Sequence, residues 1–356
     1  MKVKMKNGSI NTKTVELIKI NNIYSLKLID QTKLPHTLKY FTTSSYIQGI
    51  TAIKEMIVRG APAIGCTGVI TLILGIQELV LNQEFSIPRI LEIKKNIIEA
   101  RPTAKDLESF VERFIAQINL NVINMEEYVK IANDLIGESE NECMLIGQQS
   151  KHLISENMGI LTHCNAGALA TVDFGTALSP MRFANSENIK FKVFVNETRP
   201  RMQGLLTAWE LYNEDIDFEY IVDNAAGFYM YLGKINLVIV GCDRVLKDGS
   251  VANKIGTLEK AVLAKAFGIP FYVAMPWSTF EPNLENASQI PIEYRNTKEI
   301  KTIGNCNNIV PDFYPTSNPA FDITPPEYIT GFITKDGIIQ DHELYDKFLK
   351  LNYKTS

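Results

Sequence analysis

A chain of 356 residues is long enough for about two domains, and 46% hydrophobic with 21% charged residues suits a protein with a sizeable buried core. The net charge of −4, without a clustered excess of Lys and Arg, argues against nucleic-acid binding, which has to neutralise phosphates. No apolar stretch follows Lys2, Lys4 and Lys6, so no signal peptide is expected at the start.

In chain order, residues 14–30 carry apolar residues at short spacing, split by Asn21 and Asn22, which predicts a small antiparallel pair. From 44 to about 150 the spacing is helical, as in Leu107, Phe110, Val111, Phe114, Ile115 and Ile118. The most hydrophobic run, 65–81, is broken by Gly68 and Gly75 and interrupted by Gln77 and Glu78. A membrane span needs about 20 apolar residues, so this run reads as a buried helix and no membrane is expected as a partner. The five cysteines, Cys66, Cys143, Cys164, Cys242 and Cys306, include no C-x-x-C pair. A disulfide framework or zinc site is not expected, and free thiols point to a reducing, cytoplasmic compartment.

From about 151 short apolar runs at 160–162, 191–195, 218–222, 237–240, 270–274 and 329–333 alternate with amphipathic stretches such as 203–212 and 258–267. That alternation predicts a parallel sheet with helices on both faces. The fold class is therefore α/β: a small, mainly helical N-terminal domain over 1–150, opened by a short β segment, and a Rossmann-like domain over 151–356. Residues 278–320, rich in Pro and Asn, read as a long excursion over the surface or over a site.

Ligands of open α/β sheets bind beyond the carboxyl ends of the strands. Four consecutive runs end there in small or ionisable residues: His163-Cys164-Asn165, Asn196-Glu197-Thr198-Arg199, Asp223-Asn224 and Gly241-Cys242-Asp243-Arg244. By residue type alone Cys164 reads sooner as an inert core thiol than as a reactive one, and Asp243 as a partner of Arg244 or a working carboxyl. Arg59-Gly60-Ala61-Pro62 precedes a predicted helix, a setting in which backbone N–H groups and a guanidinium can meet an anion. The stretch 249–257 reads as a second such loop, with Lys254 as its cation. Polar turns capping packed helices explain both loops as well. Neither matches a P-loop or a dinucleotide fingerprint.

Taken together, VRGAPAIG (58–65), ARPTA (100–104), ILTHCNAGALAT (160–171), NETRPRMQG (196–204), TAWEL (207–211), GCDRV (241–245), GSVANKIGT (249–257) and PAFDITP (319–325) resemble the methylthioribose-1-phosphate isomerase family, and IDQTKLP (29–35) fits as well. The matches run in order over nearly the whole chain. The resemblance implies isomerisation of S-methyl-5-thioribose 1-phosphate to its ketose, a step of methionine salvage. It implies Cys164 and Asp243 as the catalytic pair, with Asp243 as proton donor. It further implies substrate and phosphate contacts at Arg59, Gly60, Ala61, Arg101, Gln203, Asn253 and Lys254. No metal or organic cofactor is implied, and the expected assembly is a homodimer. The same fold family includes regulatory subunits of the eukaryotic translation-initiation nucleotide exchange factor, which do not catalyse this reaction.

The chemistry suits those residue types. In an aldose 1-phosphate the anomeric oxygen is held in an ester, so ring opening requires an acid at the ring oxygen, which a protonated carboxyl supplies. A second group then manages hydrogen transfer from C2 to C1. His163 neighbours Cys164, but adjacent strand residues point to opposite faces, which assigns it a structural role or one of supporting the site from behind. Glu197 and Arg199 are expected to organise the rim, and Cys242 to be packing. After Gly204 the chain reads Leu205-Leu206, where many family members carry Ala-Arg-Leu. That variant resembles a branch acting on related sugars, so 5-deoxyribose 1-phosphate and ribose 1,5-bisphosphate stand as alternative substrates.

Overall fold

The computed structural model describes residues 1–5, 8–101, 105–285, 287–290, 292–303 and 309–352. Cys306 and residues 102–104 of the ARPTA motif lie outside the described residues. The chain divides into two units, Met1–Met144 with Gly167–Leu178, and Leu145–Ala166 with Ser179–Ser356.

The first unit opens with a hairpin, β1 (Lys2–Met5) and β2 (Gly8–Asn11), which the lysine-rich start does not signal. β3 (Val15–Ile20) and β4 (Ile23–Ile29) form the predicted antiparallel pair. Asn21 and Asn22 make its turn with φ of 48° and 64°, a region asparagine tolerates. β5 (Tyr40–Thr43) completes this sheet. The helices α1 (Tyr46–Lys54), α2 (Ala61–Leu81), α3 (Ile87–Ile98), α4 (Lys105–Gln117) and α5 (Met125–Ser150) follow, as the spacing predicts; the last turns of α5, from Leu145, belong to the second unit. α2 is apolar and long enough to cross a membrane, yet 83% of its apolar window is buried, and it forms the middle of the core with Leu72, Ile73 and Leu74. Its glycines admit neighbours: a side chain at Gly65 would come within 2.8 Å of Phe110 on α4, and one at Gly75 within 2.9 Å of Ile93 on α3.

The second unit carries β6 (Gly159–Thr162), α6 (Ser179–Ser186), β7 (Lys192–Asn196), α7 (Gly204–Asn213), β8 (Phe218–Ile221), α8 (Ala226–Tyr231) and β9 (Leu237–Val240). Then come β10 (Arg244–Leu246), β11 (Val251–Lys254), α9 (Thr257–Ala266), β12 (Phe271–Ala274), β13 (Phe280–Glu281) and α10 (Lys298–Lys301). β14 (Phe321–Thr324), β15 (Gly331–Thr334), β16 (Gly337–Ile339) and α11 (Leu344–Asn352) end it. The main sheet has the order β16-β15-β12-β9-β6-β7-β8, all parallel except the edge strand β16. β6 and β9 are buried along their whole length, which is why they read as plain apolar runs. In sequence terms the order is 3-2-1-4-5-6-7, the Rossmann arrangement.

A second, four-stranded sheet, β13-β10-β11-β14, departs from the sequence reading. Residues 249–257, where the sequence predicts a polar loop, contain β11, whose four residues are all buried. A strand buried on both faces has no alternation to betray it, and β11 is held by β10 and by the distant β14, with Asn253 opposite Asp322. The long excursion also contributes β13 and the short α10.

Candidate active site

The chain leaves β6 toward β7 on one side, while β9 pairs with β6 on the other, Leu161 beside Val238. The strand order reverses direction there, and open α/β sheets bind their ligands past the carboxyl ends of the strands at such a switch point. Cys164 follows the end of β6 and Asp243 the end of β9. Parallel strands lie about 4.8 Å apart, so the two exits are side by side.

Cys164 is half-buried and has φ of 63°. A non-glycine residue in that region costs about 1–2 kcal/mol, so its neighbours have to hold it. They do so at both ends of the residue. The Cys164 N–H donates to Thr198 Oγ1 at 2.8 Å, and Thr207 Oγ1 donates to the Cys164 carbonyl at 2.7 Å. Thr198 has φ of 62° and is itself set by Asp223, whose carboxylate accepts the N–H groups of Thr198 (2.9 Å) and Arg199 (2.7 Å). Thr207 lies in the first turn of α7. That helix starts against the end of β7 because Gly204 has no side chain; a Cβ there would collide with the Asn196 carbonyl oxygen.

Beneath Cys164 is a buried polar cluster. Asn165 Nδ2 donates to Thr207 Oγ1 (3.1 Å) and Glu210 Oε1 (2.8 Å), and Arg182 donates to Glu210 Oε2 (2.7 Å). Glu210 is fully buried, and Arg182 also pairs with Glu214 at 2.7 Å. Removing one member of such a buried pair leaves an uncompensated charge and costs about 3–5 kcal/mol.

Asp243 is half-buried, and its N–H donates to the Ala252 carbonyl at 3.1 Å, which ties the end of β9 to β11. The neighbouring Arg244 pairs with Glu281 at 3.6 Å. Asp243 has no ion pair within 4 Å among the described residues. Cys242 contacts Thr279 Oγ1 at 3.3 Å.

His163 is buried. Its Nε2 meets the Ile255 carbonyl at 2.8 Å, and the Gly256 backbone lies against its ring, where a Cβ would come within 3.1 Å. Burial, reinforced by the Lys260 charge, pushes His163 from 6.5 down to about 4, so it is neutral and a strut of the loop. This is the structural role expected for it. Arg199 organises the rim as expected: its guanidinium donates to the carbonyls of Ile300 (3.1 Å) and Thr302 (3.4 Å). With Arg201 paired to Glu299 at 3.3 Å, this anchors α10 of the long excursion to the loop after β7.

Of the expected substrate contacts, Gln203, Asn253 and Lys254 lie in this unit, while Arg59, Gly60, Ala61 and Arg101 lie in the other. Gln203 directly precedes α7; the residue is buried, and its Oε1 has no partner among the described residues. Burying an unsatisfied acceptor costs about 1–3 kcal/mol, which a ligand donor would recover. Lys254 Nζ donates to the Ala320 carbonyl (3.0 Å) and stacks 4.3 Å from the Phe321 ring centroid. Asn253 Nδ2 donates to Thr257 Oγ1 at 3.0 Å. The start of α9 does not offer the open amides expected of an anion loop: Asp322 accepts the N–H groups of Gly256 (2.7 Å) and Leu258 (3.2 Å). In the first unit Gly60 has φ of 95° and precedes α2, and its missing side chain makes room for Ala170. Close packing thus accounts for Gly60 independently of any anion.

Thr198, Thr207, Glu210, Arg182 and Asp223 are the site residues that residue-type reasoning leaves without a role. The signal for three of them is their place in NETRPRMQG and TAWEL. A groove of about 330 Å³ bordered by Gly159, Lys192 and Glu219 lies at the opposite, amino-terminal edge of the sheet, away from the Cys164 turn.

Comparison with known proteins places these features in a lineage. Residues 57–341 match the model of the initiation factor 2 subunit family. The methylthioribose-1-phosphate isomerase of Fervidobacterium nodosum is 43% identical over 326 residues, covering 88% of this chain and 92% of that protein. Among solved structures, 5-methylthioribose 1-phosphate isomerase from Pyrococcus horikoshii superposes with a TM-score of 0.84 at 35% identity, covering 97% of both chains. Subunit delta of the translation initiation factor eIF-2B from A. fulgidus has the same score and identity, covering 96% of this chain and 100% of that one.

Proposed function

The chain belongs to the methylthioribose-1-phosphate isomerase family, within the wider initiation factor 2 subunit family, and from that premise we propose that it converts S-methyl-5-thioribose 1-phosphate to S-methyl-5-thioribulose 1-phosphate in methionine salvage. The observation that carries this reading is the exit of Cys164 and Asp243 from adjacent strands at the sheet's switch point.

In the proposed reaction Asp243 protonates the ring oxygen, because the phosphate ester prevents the anomeric oxygen from opening the ring by itself. Cys164 handles the hydrogen that passes from C2 to C1. The exchange is internal: C2 is oxidised to a ketone and C1 is reduced, so no outside oxidant is consumed. Gln203 supplies a substrate contact, supported by its unpartnered buried oxygen. Asn253 and Lys254, and Arg59, Gly60, Ala61 and Arg101 of the first unit, are read as substrate and phosphate contacts on the resemblance alone. The same reading makes the protein a cytoplasmic homodimer.

Leu205 and Leu206, after Gly204, leave the C5 substituent to experiment. The test compares kcat/KM for ketose formation from S-methyl-5-thioribose 1-phosphate, 5-deoxyribose 1-phosphate and ribose 1,5-bisphosphate. The first is expected to be preferred. Preference for either other sugar keeps the chemistry and moves the pathway. No turnover of any overturns the isomerase reading in favour of a binding subunit, the role suggested by the name of the A. fulgidus protein.

A further inference from the structure

We infer that Thr198 and Thr207 are positioning residues that hold Cys164 in its left-handed turn, and that Glu210 orients Thr207 through Asn165. The inference rests on the reading of Cys164 as the hydrogen-transfer group, and it gives the TAWEL segment a task.

Both polar backbone groups of Cys164 end on threonine hydroxyls, one from the loop after β7 and one from α7. Each hydroxyl has one proton to give. Thr207 Oγ1 accepts from Asn165 Nδ2, which leaves its own proton for the Cys164 carbonyl. The other proton of Asn165 Nδ2 goes to Glu210, and the buried pair of Glu210 with Arg182 keeps that carboxylate in place. On the other side Thr198 Oγ1 accepts from Cys164 and donates to the Asn196 carbonyl at 3.2 Å. The direction of every hydrogen bond along this chain is therefore determined, and it ends on a half-buried residue whose φ of 63° is unfavourable without support. An extended backbone at residue 164 would continue the strand and carry the thiol elsewhere. The two hydroxyls set where the thiol stands by holding the Cys164 backbone.

The test uses Thr207→Val and Thr207→Ser in the full chain. Two quantities are read: kcat and KM for ketose formation, and the pH dependence of iodoacetamide alkylation of Cys164, followed by peptide mass. Thr207→Val is expected to lower kcat about 10- to 100-fold with KM within about twofold, as misplacement of a reacting group does. Its alkylation profile is expected to shift, and Thr207→Ser to restore both readouts. A Thr207→Val protein with parental kcat and alkylation overturns the inference, as does a serine variant no better than valine. If Thr207→Val does not fold, Thr198→Val and Thr198→Ser carry the same comparison with the same expected and overturning results. If the parent turns over no sugar phosphate, the functional reading fails, while the alkylation profiles still decide whether the threonines position the thiol.

Discussion

Cys164 and Asp243 follow the ends of neighbouring strands but are held differently. Cys164 is fixed by two threonine hydroxyls; Asp243 is fixed by one backbone hydrogen bond, and Arg244 beside it is turned to Glu281. Neither side chain carries an ion pair within 4 Å among the described residues, so replacing it removes chemistry with little effect on stability. Cys164→Ser and Asp243→Asn are each expected to lower kcat by on the order of 10²-fold or more, the usual contribution of an acid–base group, with thermal melts near the parent's. Steady-state rates and melts by circular dichroism check this, and full activity in either variant refutes the role of that residue. The type and place of both residues are legible in the sequence, because a Cys two residues and an Asp three residues past apolar runs stand at strand exits. The positive φ of Cys164 is not legible. No residue type at 164 announces it, and it depends on partners at 198 and 207.

At the scale of elements, the loop from β11 into α9 packs two titratable groups whose shifts oppose each other. His163, pushed down to about 4 by burial, stays neutral in the folded protein while the unfolded chain takes up a proton near 6.5. Its contribution to stability is present above that value and is lost as pH falls toward 4. Asp322, pushed up to about 6 mainly by burial despite its hydrogen bonds from Gly256 and Leu258, binds its proton in the folded state before the unfolded carboxyl does near 3.8. Its contribution grows as pH falls through 6 and is absent at higher pH. Asp322→Asn is therefore expected to lose melting temperature more steeply than the parent between pH 6 and 4, and His163→Gln to lose less or to gain. Melting curves across that window check the signs, and parallel curves for all three proteins refute them. The elements themselves differ in legibility for a physical reason. β6, β7, β9 and α4 show their apolar runs or helical spacing locally. β11 shows nothing local, being buried throughout and defined by its pairing with β10 and β14.

For the whole molecule, the family places the chain among isomerases and among initiation-factor subunits of the same fold, and the fold by itself does not choose between them. A homodimer is the expected assembly. Sedimentation equilibrium should report twice the 40.0 kDa chain mass, and a monomer at working concentration refutes it. The amino-acid sequence by itself determined the α/β class, the helical first part, the parallel-sheet second part and the residues at the strand exits. Periodicity and strand ends are local properties of the chain. The tertiary structure alone decided the strand order that sets β6 beside β9, the second sheet, the capture of the α9 amides by Asp322 and the clamp on Cys164. Each of these joins residues far apart in the chain, and such pairings are selected by burial and hydrogen-bond satisfaction in the folded core, which no local pattern records.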